Sequence, residues 1–183
     1  MSNNTNAPVA ETLPPDRHGA LYFFTGLSGA GKTTIGGLFY RRLKARKNDV
    51  VLLDGDQTRP VLKDVGYSTE ARIAGAKQLF QLCLLLTSQG IDVVCCSISM
   101  YREVRAWNRA HFPHYWEIYL KASPETLYRR DQKGLYSGGV KEVVGVDLPW
   151  DEPRRPNFVI ENDGQETPET IVKRLEKSLL ELP

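Results

Sequence analysis

The stretch GLSGAGKT, Gly26 to Thr33, decides the fold. It matches G-x-x-x-x-G-K-[ST], and its flanks fit, with the apolar run ALYFFT before it and a helix-forming segment from Lys32 after it. Glycines at 26, 29 and 31 let the backbone turn tightly enough to aim its amides at a nucleoside triphosphate, and the following helix turns its positive end to the same place. Lys32 is expected to reach the β and γ phosphates and Thr33 to help hold Mg²⁺, while Ser28, Ala30 and Thr34 complete the cradle. An ordinary glycine-rich turn needs neither flank. ATP or GTP binding follows.

Working outward, apolar runs alternate with helical candidates. ALYFFT, DVVLLD, IDVVCCSIS, YWEIYLKA and NFVIEN read as strands. Helices are expected to begin near Lys32, Ser68, Arg102 and Ser123, and a last one, in TPETIVKRLEKSLLEL, starts with Pro168, where a missing amide proton is harmless. This order predicts an α/β, three-layer, P-loop nucleoside-kinase-like fold, with a mostly parallel sheet, helices on both faces and a mobile lid. The 183 residues fit one domain, expected over 19–183, behind a disordered tail over 1–18 that is rich in Asn, Pro and Thr.

Charge narrows the partners. The net charge is +2, from 24 basic and 22 acidic side chains spread along the chain, so no basic stripe argues for nucleic acid. No segment is long and apolar enough for a bilayer, and the start lacks a secretory signal; a cytoplasmic location is expected. Cys83, Cys95 and Cys96 lie in apolar runs without metal-ligand spacing and read as buried thiols. A small nucleotide is the expected partner, and a homodimer is compatible with the sequence.

A second site lies in LLDGDQTR, which puts Asp54, Asp56 and Arg59 at the carboxyl edge of the second strand, where open α/β folds bind ligands. Beside a triphosphate, acids there orient Mg²⁺ or accept a hydroxyl proton, and an arginine grips a second anionic group. The plainer alternative is a turn with solvated acids. A kinase needs both halves; a nucleotide-dependent switch, the other class open to a P-loop, has no use for the second.

GLSGAGKTT, LLDGDQTR, VGYSTEAR, SISMYREVR, RRDQKGLY and VVGVDLPWDEPRRPNFVI occur in the order of the adenylylsulfate kinase family, which the chain resembles from Tyr22 to Ile160. The resemblance implies transfer of the ATP γ-phosphate to the ribose 3′-hydroxyl of adenosine 5′-phosphosulfate, with Mg²⁺. It places Asp54 near that hydroxyl and the metal, and Asp56, Arg59 and Arg72 around the acceptor. Tyr67 stands at a nucleotide-stacking phenylalanine, and Ser99 at a serine that some members phosphorylate. Arg130 is similar to a residue beside the donor adenine, and Lys133 to a basic lid residue.

The lid departs from that family. Val143 and Val144 stand where it has phenylalanine and threonine, and Gly75 replaces an asparagine that would contact the acceptor. The shorter lid and the VVGVDLPWDEP ending resemble related enzymes of capsule phosphoramidate biosynthesis, whose acceptor is cytidine 5′-diphosphoramidate. That smaller pyrimidine would suit a valine-lined pocket, with Arg59 and Arg72 on its diphosphate-like tail. Adenylylsulfate remains the alternative acceptor.

Overall fold

The computed structural model describes residues 13–62, 66, 68–131, 134–136, 138 and 143–180. Five strands form one sheet in the order β2-β3-β1-β4-β5. They are β1 (Leu21–Thr25), β2 (Val50–Asp54), β3 (Asp92–Cys96), β4 (Tyr115–Lys121) and β5 (Phe158–Glu161), and every neighbouring pair is parallel. Around them lie α1 (Lys32–Arg46), α2 (Gly55–Val61), α3 (Thr69–Thr87), α4 (Arg102–His111), α5 (Pro124–Arg130) and α6 (Pro168–Leu180). All five expected strands are present, and the sheet is wholly parallel.

The near-continuous apolar strands follow from burial on both faces. Side chains alternate across the sheet, so Tyr22, Phe24, Val94 and Cys96 pack with Phe39 of α1 and Val172 of α6. Leu21, Phe23, Val93 and Cys95 pack with Phe80 of α3 and Val104 of α4 on the other side. The three cysteines are free and buried, as expected. Ion pairs close the edges, Arg42 of α1 meeting Glu176 of α6 at 2.8 Å.

Three local outcomes differ from the sequence pattern. Helix α2 arises where no helix was expected, because Asp54 caps it, accepting from the Asp56 amide at 2.9 Å. Strand β3 ends at Cys96 rather than Ser99; the chain leaves the sheet there, with the Ser97 and Ser99 hydroxyls bonded at 2.7 Å and Ser99 at a positive φ of 32°. The end of the segment expected as a tail carries a 3-10 turn at Pro15–Arg17, and the Leu13 amide donates to the Ser88 carbonyl at 3.2 Å. Among the described residues no helix is long and apolar enough to cross a membrane.

Candidate active site

The carboxyl edge of a parallel sheet gathers the loops that follow its strands. After β1 comes the cradle. Gly26 has φ 148°, and a Cβ there would lie 2.3 Å from the Leu120 carbonyl oxygen; Gly31, at φ 98°, would place one 2.6 Å from Asn162 Nδ2. Only glycine tolerates both the torsion and the approach. Helix α1 starts at Lys32 directly behind the loop and turns its positive amino-terminal end to it.

At the end of β2 stands Asp54, 5% exposed. Its Oδ2 accepts from the Thr33 hydroxyl at 2.6 Å while Oδ1 caps α2. The reading of this acid as solvated is thereby excluded. Two hard oxygen donors, hydroxyl and carboxylate, meet beside the cradle, a set suited to a hard cation that takes its other ligands from phosphates and water. Among the described residues no cluster of three or more His, Cys, Asp or Glu side chains offers a protein-only metal cage. Cys96 lies beneath, its thiol donating to the Lys32 carbonyl at 3.4 Å; burial first, and then the Asp54 charge, push its pKa up to about 12, so it stays neutral.

One cavity of about 440 Å³ joins these parts. Ser28, Gly29, Gly31, Lys32, Thr33 and Thr34 line its cradle side, and Arg130 lies on the same side, with a nitrogen 3.4 Å from the Gly29 carbonyl. Asp56, Arg59, Arg72 and Ser99 line the rest with Asp54. Arg59 also donates to the Gly66 carbonyl, which ties α2 to the start of the next segment. Gly26 and Ala30 belong to the scaffold beneath the wall rather than to the wall.

The lid reading divides. Tyr136 donates its hydroxyl to the Ser28 carbonyl at 2.8 Å, and a Cβ on Gly145 would fall 2.7 Å from Leu27, so these two lid residues lie on the cradle. Val144 lines the cavity, but Val143 does not: it is buried, its carbonyl accepting three amides of the turn that ends at Leu148. Val143, expected with Val144 to line the acceptor pocket, lies instead in the turn's interior. Tyr67 and Lys133 lie outside the described residues.

Sequence reasoning passed over several wall residues: Leu62, Tyr101, Asn162 and Glu166. Asn162 follows β5 at the same sheet edge that singled out Asp54, and that position was the available signal. Its Nδ2 donates to the Ala30 carbonyl at 2.8 Å. Leu62 and Tyr101 carried none, since apolar and aromatic residues at helix ends read as core.

The profile of the family described as adenylylsulphate kinase matches residues 18–161. The chain is 36% identical over 162 residues to the cytidine diphosphoramidate kinase of Campylobacter jejuni, spanning 85% of this chain and 95% of that one. It is 38% identical over 167 residues to the adenylyl-sulfate kinase of a Picosynechococcus strain, spanning 88% and 94%. Its fold superposes on the Mycobacterium tuberculosis APS kinase CysC, solved in complex with AMPPNP and APS, with a TM-score of 0.81 at 28% identity, covering 92% of this chain and all of that one. These relatives are kinases, which sets aside the switch. With the family profile running through most of its length, the chain belongs to the adenylylsulphate kinase family and is a phosphotransferase.

Proposed function

We propose that the protein transfers the γ-phosphate of ATP to the ribose 3′-hydroxyl of a nucleotide with a modified anionic 5′ group, preferring cytidine 5′-diphosphoramidate. The observation that carries this reading is the part of the cavity lining that follows α2 and lies on α3, where Leu62, Gly75, Ala76 and Leu79 present small and aliphatic surface, with Tyr101 also in the lining. Such a wall suits a compact pyrimidine, and it lacks the carboxamide expected at position 75 for an adenine nucleotide. Arg59 and Arg72, on the same wall, would grip the 5′ group.

The donor phosphates would lie in the cradle, with Lys32 exchanging the Leu27 carbonyl, 2.9 Å from its Nζ, for phosphate oxygens. Thr33 and Asp54 would hold Mg²⁺, which offsets phosphate charge when bound. Asp54, with two hydrogen bonds fixing its carboxylate, orients the attacking hydroxyl and accepts its proton as transfer proceeds. Ser99 at its strained φ lies on the acceptor wall as a contact to the phosphoryl region, and transfer is direct. Val144 and Tyr136 bring the lid over the site and exclude water.

Adenosine 5′-phosphosulfate is the second acceptor to weigh, favoured by the 38% identity to an adenylyl-sulfate kinase. The test is kcat/KM for both compounds on one preparation with ATP. A higher value for the cytidine compound is expected; efficient use of adenosine 5′-phosphosulfate with no turnover of the cytidine compound would overturn the preference.

A further inference from the structure

Four consecutive carbonyls of the phosphate cradle are each held by a side-chain donor. Lys32 Nζ holds Leu27 O at 2.9 Å, the Tyr136 hydroxyl holds Ser28 O at 2.8 Å, Arg130 reaches Gly29 O at 3.4 Å, and Asn162 Nδ2 holds Ala30 O at 2.8 Å. In a planar trans peptide the carbonyl and the next amide point in opposite directions. Holding Ser28 O therefore directs the Gly29 amide, and holding Ala30 O directs the Gly31 amide. The Ala30 amide is already used inside the loop, donating to Leu27 O at 3.1 Å.

We propose that Asn162 and Tyr136 are positioning residues of the donor site, turning two cradle carbonyls away so that the Gly31 and Gly29 amides face the phosphates. This rests on the cradle being the ATP site. Asn162 is built for it. Its side chain is buried at 9% exposure, and its own amide donates to Lys121 O at 2.7 Å, which locks the backbone from which it reaches. A carbonyl can only accept, so the nitrogen of the carboxamide must face Ala30. Gly31 packs so close to that nitrogen that a methyl group there would collide with it. The next residue extends the brace, since Asp163 Oδ1 accepts from the Ser123 amide and hydroxyl at 2.8 and 2.9 Å and fixes the start of α5, the helix that ends in Arg130. Tyr136 comes from the lid, so the same hydrogen bond that aims Gly29 joins lid placement to cradle geometry.

Asn162→Asp keeps the shape of the side chain but replaces the donor with an oxygen that repels Ala30 O. AMPPNP binding, measured by calorimetry with Mg²⁺ on the full chain, is expected to weaken tenfold or more. KM for ATP should rise in step, while KM for the better of the two acceptors stays within twofold; the melting temperature should fall, since a buried carboxylate is left facing Ala30 O. Tyr136→Phe, which removes only a hydroxyl, should weaken AMPPNP severalfold with the same split. AMPPNP affinity within twofold of the parent in Asn162→Asp, or equal rises in both KM values, would overturn the inference. If Asn162→Asp fails to fold, Tyr136→Phe decides alone, and unchanged affinity there overturns it. Failure of the unsubstituted protein to bind AMPPNP would instead overturn the donor-site reading beneath it.

Discussion

Asp54→Asn should separate catalysis from stability. The carboxylate has two hydrogen-bonded jobs, capping α2 through the Asp56 amide at 2.9 Å and accepting from Thr33 at 2.6 Å. Asparagine is as good an N-cap as aspartate, and a hydroxyl that donated can turn to accept from the new amide. The fold should therefore lose at most about 1 kcal/mol, the worth of one hydrogen bond. The negative charge, by contrast, has no substitute. In the proposed mechanism it takes the acceptor proton and holds a cation, and loss of a positioned base typically costs on the order of 10²–10⁴ in rate, or about 3–5 kcal/mol of barrier. The assay is coupled ADP release at saturating ATP and acceptor, with a thermal melt of the same sample. Turnover within tenfold of the parent at an unchanged melting temperature would refute the assignment of Asp54; a collapsed melting temperature would refute the claim that its role is separable from folding.

Lys32→Ala should lower kcat by on the order of 10²–10³, the scale seen when a charge-stabilising donor is removed, without changing the melting temperature; full turnover would remove the cradle from the chemistry. Ser99→Ala should be much milder than Asp54→Asn, and mass spectrometry during turnover should find no phosphoserine; a dead variant together with a phosphoserine in the parent would replace direct transfer with a two-step path. Gly31→Ala forces a left-handed residue at about 1–2 kcal/mol and drives a methyl group to 2.6 Å from Asn162 Nδ2. It should lower both the melting temperature and AMPPNP affinity, measured by melt and titration.

The fold was legible because two independent patterns agreed. Strands buried on both faces write themselves as apolar runs, and Gly26 to Thr33 could sit only between a strand and a helix. What was not legible depended on tertiary contact. Helix α2 holds only seven residues, with glycine first and proline inside, so its propensity is poor, and it exists because the buried Asp54 caps it. The chain beyond β3 is held by the Ser97 amide donating to the Phe24 carbonyl, far away in sequence, and by the hydrogen bond between the Ser97 and Ser99 hydroxyls. Asn162 looked like the polar end of a strand until the Ala30 carbonyl was found against it.

Acceptor choice is expected to turn on position 75 rather than 143. Val143 is 5% exposed and outside the cavity wall, so phenylalanine there would overpack the turn at a cost of roughly 1–3 kcal/mol without presenting a ring to the ligand. Gly75 is different: it lies within α3 and on the cavity wall. Asparagine has the better helix propensity by a few tenths of a kcal/mol, so Gly75→Asn should leave the melting temperature level or raised while placing a carboxamide at the acceptor end. One new hydrogen bond to an adenine nucleotide is worth about 1 kcal/mol, so kcat/KM for adenosine 5′-phosphosulfate should rise about fivefold relative to the cytidine compound. The added bulk also narrows the space left to the pyrimidine, pushing the ratio the same way. A ratio unchanged in a stably folded Gly75→Asn protein would show that the α3 wall does not read the base, and would shift the search for the specificity element to the far side of the cavity.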